Sequence, residues 1–161
     1  MCWRMSRRAT TRAVLAGLAL AVLAGCRTPL SLGLKEDFLV VERGRDRLRA
    51  VAADGSRVRM RQWDTDGGSL EFWREALRTN LTEGRGYVLA QEGPFTTVGG
   101  TPGHEMVLDT TINGRPVRYL VALWVMDGGG DDARVRVVEY VADKPVFERH
   151  VTGVRQAISR L

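Results

Sequence analysis

The sequence predicts an α+β domain in which an antiparallel β-sheet is covered by helices on both faces, an α/β/α sandwich in the order roughly ββ-α-β4-α. Three observations carry this expectation. Residues 70–83 and 143–161 repeat apolar side chains at helical spacing, whereas most of the intervening chain is built of short apolar runs. Asp54-Gly55 and Asn113-Gly114 mark hairpins, which join antiparallel neighbours. The run from Tyr119 to Val125 has almost no polar relief, so both of its faces need cover from helices or another layer.

The chain opens with Arg4, Arg7, Arg8 and Arg12, followed by Ala13 to Ala24, which contains only Ala, Val, Leu and Gly. A basic preface, a short apolar run and small residues at a cleavage point form an export-signal pattern. The run is too short to span a bilayer, which takes about 20 apolar residues. Its ending, Leu23-Ala24-Gly25-Cys26, resembles the lipobox of bacterial lipoproteins. The resemblance implies cleavage before Cys26, a covalent diacylglycerol on its thiol and an N-acyl lipid on its new amine. Two or three acyl chains exceed what stable anchoring requires. An ordinary secretory peptide and a retained helix are the alternatives, and either Met1 or Met5 serves as the start. The expected organisation is a signal peptide over 1–25, a lipidated N-terminus and tether over 26–36, and one domain over 37–161. Arg27 is not the aspartate that marks inner-membrane retention in enteric lipoproteins, so the resemblance favours the outer membrane, facing the periplasm.

Removal of the signal changes the charge. The whole chain carries 24 Lys plus Arg against 19 Asp plus Glu, but four of those arginines precede Cys26 and no acid does. The mature part therefore has 20 basic and 19 acidic residues, a formal charge of +1, which is no global field for nucleic acid. The two cysteines are Cys2 and Cys26, so neither a disulfide framework nor a cysteine zinc site is expected in the mature part.

Within the domain, Asp37 to Glu42 reads as a strand, either at an edge or buried on both faces. Residues 45–63 read as a hairpin. A three-residue loop, Ala53-Asp54-Gly55, brings Arg47 opposite Arg61 and Arg49 opposite Arg59, with Arg57 on the same face and Leu48, Ala50, Val58 and Met60 inward. Like charges directly across a ladder destabilise it. The ribbon Arg47, Arg49, Arg57, Arg59 and Arg61 is thus a candidate basic partner-binding face, for anionic headgroups or an acidic partner, unless nearby acids neutralise it.

Ser69 can cap a helix from Leu70 to about Glu83, with Leu70, Trp73, Leu77 and Leu81 as its apolar stripe and Gly84 and Gly86 as its stop. Strands follow at Tyr87 to Gln91, at Phe95 to Val98, at His104 to Ile112, at Val117 to Met126 and at Ala133 to Val141, with Gly99 to Gly103 as a turn-rich connection. Asp143 opens a closing helix with Pro145 in its first turn and Phe147, Val151, Val154, Ile158 and Leu161 on its apolar face. Gly153 weakens the middle of that helix, and a close approach to the sheet would account for it.

Gly103-His104-Glu105-Met106 leading into a strand, the hairpin at Asn113-Gly114, the apolar strand ending at Trp124, and Val137 to Ala142 running into Phe147 together resemble the Mog1/PsbP-like fold, in particular PsbP-like and DcrB-like lipoproteins. That resemblance implies a sheet sandwiched between helices and an accessory, assembly or partner-binding role. It supplies no catalytic residues to carry over.

A search for chemistry agrees with that role. Gly128-Gly129-Gly130 lacks the lysine and hydroxyl of a phosphate loop, and Asp127, Asp131 and Asp132 lack EF-hand spacing. His104 and His150 are too few for a three-histidine metal site, and no serine lies in a nucleophile elbow. No catalytic residue, metal or further cofactor is expected. The function expected is a non-catalytic binding or assembly module, anchored in the bacterial membrane and meeting an envelope protein. The alternatives are an envelope enzyme, or a carrier or sensor of a small apolar ligand or lipid, whose pocket would be lined by Trp73, Leu77, Trp124 and Phe147.

Overall fold

The structure is a computed structural model that describes residues 29–129 and 132–161. The expected signal peptide, Cys26 with its lipid, and Asp131 of the acidic loop lie outside the described residues. The strands are β1 (Phe38–Arg43), β2 (Arg47–Ala52), β3 (Arg57–Thr65), β4 (Val88–Thr96), β5 (Pro102–Ile112), β6 (Arg115–Gly129) and β7 (Asp132–Asp143). They form one sheet in the order β1-β2-β3-β7-β6-β5-β4, every neighbouring pair antiparallel. The helices are α1 (Leu70–Thr79), continued by a π-helical turn over Asn80–Gly84, and α2 (Lys144–Ser159).

This corrects the expected fold class. The described residues form a mostly β, seven-stranded antiparallel sheet with only two helices among them, and not an α/β/α sandwich with a helical layer on both faces. The strand read over Asp37 to Glu42 is Phe38–Arg43, an edge strand paired with β2, so three strands precede the first helix. The doubly apolar β6 misled the inference from strand to layer. Leu120, Ala122 and Trp124 belong to the cluster that includes α2, while Tyr119, Val121 and Leu123 belong to a smaller one flanked by Leu70, Trp73 and Leu77 of α1. One helix over the middle strands is enough to close each cluster. Neither cluster includes the arginines that alternate along β2 and β3.

Local chemistry places the elements as expected from the residues. Ser69 Oγ accepts the Phe72 N–H at 3.1 Å and caps α1. Asn113 and Gly114 both take positive φ, 50° and 77°, as a two-residue hairpin turn requires. Gly55, at φ 86°, closes the β2–β3 loop, and the Ala52 N–H reaches Ser56 O at 2.9 Å.

The stretch read as tether has no helix or strand over 29–35, but part of it lies in the core. Leu30 and Leu32 are buried in the same cluster as α2, and the Leu30 N–H donates to Gly44 O at 2.9 Å. The packed domain thus begins four residues after Cys26. Gly153 of α2 is approached by the Lys35 side chain, where an added Cβ would lie 3.4 Å away, rather than by the sheet.

Candidate functional site

The arginine face follows from the register of one hairpin. β2 and β3 pair Arg47 with Arg61, Leu48 with Met60, Arg49 with Arg59 and Ala50 with Val58. Leu48, Ala50, Val58 and Met60 are at most 1% exposed, and a one-residue slip would exchange them with the arginines. Burial of the apolar set therefore holds five like charges on the opposite side, despite repulsion across the ladder.

Two clefts meet on this face. One of about 560 Å³ is bounded by Glu42, Arg47, Arg61 and Trp63, the other of about 210 Å³ by Arg57, Arg85, Tyr87 and Glu139, and both are lined by Arg49 and Arg59. Arg85, which follows the π-helical turn, joins the five ribbon arginines from the other side of the floor. Six guanidinium groups thus line the clefts with three carboxylates, those of Glu42, Asp46 and Glu139.

The carboxylates only partly compensate. Glu42 serves both Arg47 and Arg49 at 3.6 Å, and Glu139 lies 3.5 Å from Arg59 while its other oxygen accepts the Tyr119 hydroxyl. These separations exceed the 2.7–2.9 Å of charge-assisted hydrogen bonds. Arg57, Arg61 and Arg85 form no ion pair among the described residues. Burial, with the Glu139 charge beside it, pushes the Tyr119 hydroxyl well above its ordinary value, so it remains a hydrogen-bond donor that occupies Glu139. Chemically the face offers planar, permanently charged forks to carboxylate or phosphate groups.

The residues expected to line an apolar pocket do not come together around a cavity. Trp124 is 1% exposed, edge-on to Phe95 at 5.9 Å and beneath the Arg136 guanidinium at 5.8 Å. Phe147 is buried and stacks on Tyr140 at 5.0 Å. Trp73 and Leu77 pack on the other cluster, across the sheet from them. None of these four lines any of five clefts, of 40 to 600 Å³, on the described residues. A cleft of about 600 Å³ lies elsewhere, between β4 and α2, bounded by Glu92, Phe95, Glu105, Arg155 and Ser159. Among the described residues no group of histidine, cysteine and carboxylate is placed to hold a metal, and no helix is long and apolar enough to cross a membrane.

A second charged cluster ties the loop at the ribbon's end to α2. Asp54 Oδ2 lies 2.8 Å from His150 Nε2 and accepts Arg149 Nη1 at 3.2 Å, while its Oδ1 accepts the Ser56 N–H at 3.1 Å. Burial alone would raise the Asp54 carboxyl, but hydrogen bonds from His150 and Ser56 outweigh it and hold the group at about 2. Asp109, gripped by Arg118 at 2.8 and 3.2 Å and by Lys144 at 2.9 Å, is likewise held at about 2, chiefly by the Arg118 bond. Both folded values lie below the unfolded one, so the stabilisation is complete above about pH 4 and disappears as pH falls through about 2. Urea midpoints measured from pH 6 to pH 2 should drop over that window. Asp54→Asn and Asp109→Asn should each flatten the drop; equal slopes in the parent and both variants would refute the assignment.

Neither Trp63, nor Arg85, nor the Asp54–His150 pair was marked by its sequence neighbourhood. Arg85 reaches the face from a turn 24 residues beyond Arg61, and Asp54 meets a partner 96 residues away.

No protein-family model matches the chain, and no curated protein matches it. Solved structures do match. The crystal structure of LpqN, a protein involved in cell envelope biogenesis of Mycobacterium tuberculosis, superposes with a TM-score of 0.64 over 84% of this chain and 83% of that one, at 12% sequence identity. At that identity the likeness establishes a shared fold.

Proposed function

We propose that this protein is a membrane-anchored, non-catalytic accessory module of the bacterial cell envelope, whose arginine face captures an acidic segment of another envelope protein. The observation that carries the proposal is the concentration of six arginines with three carboxylates around two joined clefts. The mature chain as a whole is nearly neutral, at +1. The lipobox-like Leu23 to Cys26 supports the anchor, and Arg27 in place of a retention aspartate favours the outer membrane, facing the periplasm. The fold likeness to a protein described as involved in cell envelope biogenesis is consistent with the setting.

Crosslinking in intact cells, followed by identification of the captured protein, tests the reading. Reversal of Arg47, Arg49, Arg57, Arg59 and Arg61 to glutamate should abolish capture, and unchanged capture would reject the face as the binding surface. A single variant separates binding from folding. Arg61 lies directly across from Arg47 and has no carboxylate partner among the described residues. Arg61→Glu therefore replaces repulsion by attraction and should raise stability by about 0.5 kcal/mol while weakening capture. A loss of stability would mean that the ribbon is structural rather than reserved for a partner.

A further inference from the structure

We propose that the end of the sheet carrying the β1–β2 turn rests on an anionic phospholipid surface, with Trp63 and Phe72 at the headgroup boundary and Arg43 and Arg45 at the turn beside it. The inference rests on the reading of Cys26 as the lipid-bearing residue. It adds an orientation and a set of contact residues to that anchor.

The first argument is reach. Leu30 is buried, and its N–H is bonded to Gly44 O in the turn between β1 and β2. Four residues from Cys26 to Leu30 span at most about 14 Å when fully extended. An acylated Cys26 therefore holds the Arg43–Arg47 turn close to the membrane.

The second argument is what surrounds that exit. The Gln62 side chain donates to Arg45 O at 2.8 Å, and its N–H donates to Asp46 O at 2.9 Å, so the turn is fastened to β3 one residue before Trp63. Trp63 packs edge-on to Trp73 at 5.8 Å, and Trp73 packs edge-on to Phe72 at 5.3 Å. Trp63 is 38% exposed and Phe72 57%, an aromatic surface on the α1 face at the end of the sheet that carries the β1–β2 turn. Arg47 and Arg61 line a cleft with Trp63, and Arg43 and Arg45 are exposed at the turn. An apolar rim with arginines alongside is the composition that settles at a bilayer interface.

The carboxylates at this end decide how the domain leans. Asp46 is paired with Arg47, and Asp64 is bonded by Arg134. Asp66 and Asp132 lie beyond Trp63, where the end of β3 meets the start of β7. Asp66 and Asp132 thus lie past Trp63 from the turn, while of the turn arginines Glu42 and Asp46 take up Arg47 alone, which leaves Arg43 and Arg45 to face the anionic surface. In this pose Arg57 and Arg85, at the opposite end of the ribbon, stay clear of lipid.

The test uses the processed protein reconstituted in phosphatidylglycerol vesicles whose acyl chains are brominated, with intact mass reporting acylation of Cys26. Trp63 emission should be quenched, and Trp63→Phe should remove the quenched component. Arg43→Gln and Arg45→Gln should each lower the docked-to-undocked ratio about five-fold, whereas Arg57→Gln should not change it. An unacylated Cys26 would overturn the anchor and this orientation with it. Intact acylation with unquenched Trp63 would overturn the orientation alone and leave the aromatic surface to a protein partner. Equal quenching in phosphatidylcholine vesicles would overturn the headgroup contact.

Discussion

Trp124→Ala should destabilise the domain by about 4 kcal/mol, read as a shift of the urea midpoint at neutral pH with little change in slope. Trp124 is 1% exposed in the middle of β6, and the groups around it are held by the sheet itself. Phe95 meets the ring edge-on, and the Arg136 guanidinium lies over it, fixed by hydrogen bonds to Gln62 at 2.8 and 3.2 Å. Because these neighbours belong to three different strands, they cannot close the space together. Truncation thus loses both the transfer energy of the indole and the contacts of the atoms that lined it. The experiment also bears on function. A tryptophan lining a ligand pocket already borders a void, and its removal would cost about 1 kcal/mol or less. A cost that small would reopen the carrier reading, which the close packing around Trp124 disfavours.

What was legible in the sequence was legible for local reasons. The β2–β3 register follows from four alternating apolar residues and one glycine, since only one loop length puts Leu48, Ala50, Val58 and Met60 on a common side. The α1 cap needed only Ser69 placed before an apolar stripe. The candidate face was visible for the same reason, as the other half of that alternation. What lay outside local pattern was missed. Leu30 and Leu32 occur among Pro29, Ser31 and Gly33 and read as loop, yet the sheet offers them a place beside α2. Trp63 gained its role from Trp73, which a turn carries back over the sheet. The expected sandwich failed because strand composition reports burial at a strand and says nothing of how many helices supply it. Two helices cover the middle strands, and the remaining strand faces stay exposed where their residues are charged.

Under the proposed function, the arginine face separates stability from binding. The inward side of β2 and β3 contributes burial and fixes the register, so the outward side is free of that duty. Tyr119 occupies one Glu139 oxygen from within the sheet, which weakens the acid as a partner for Arg59. A cation set that its own domain leaves incompletely paired keeps its forks for an external acid.

Gly103→Val should cost about 3 kcal/mol, although the sequence places this glycine at the close of a turn where valine would be harmless. The strand already begins at Pro102, and Gly103 is buried, paired with Phe95 on one side and Trp124 on the other. A Cβ added there would meet Phe95 Cζ at 2.4 Å and Leu123 O at 2.9 Å. Gly103 shows no positive φ, so the requirement is space rather than backbone conformation. An aromatic ring laid over a strand glycine fills the place its side chain would take. Two contacts with different stiffness make the prediction quantitative. Phe95 is a half-buried side chain that can swing away, whereas Leu123 O is backbone in a central strand and cannot. Removing Phe95 should therefore rescue only part of the damage. In a double-mutant cycle Gly103→Ala should cost about 2 kcal/mol with Phe95 present and about 1 kcal/mol in a Phe95→Ala background. Gly93→Ala, with open space around its Cβ, should stay within about 0.5 kcal/mol of the parent. Full rescue by Phe95→Ala would assign the whole constraint to the ring. No rescue would assign it to the β5–β6 backbone, in which case Gly103 serves the central strand pair and the aromatic edge beside Trp124 is incidental to it.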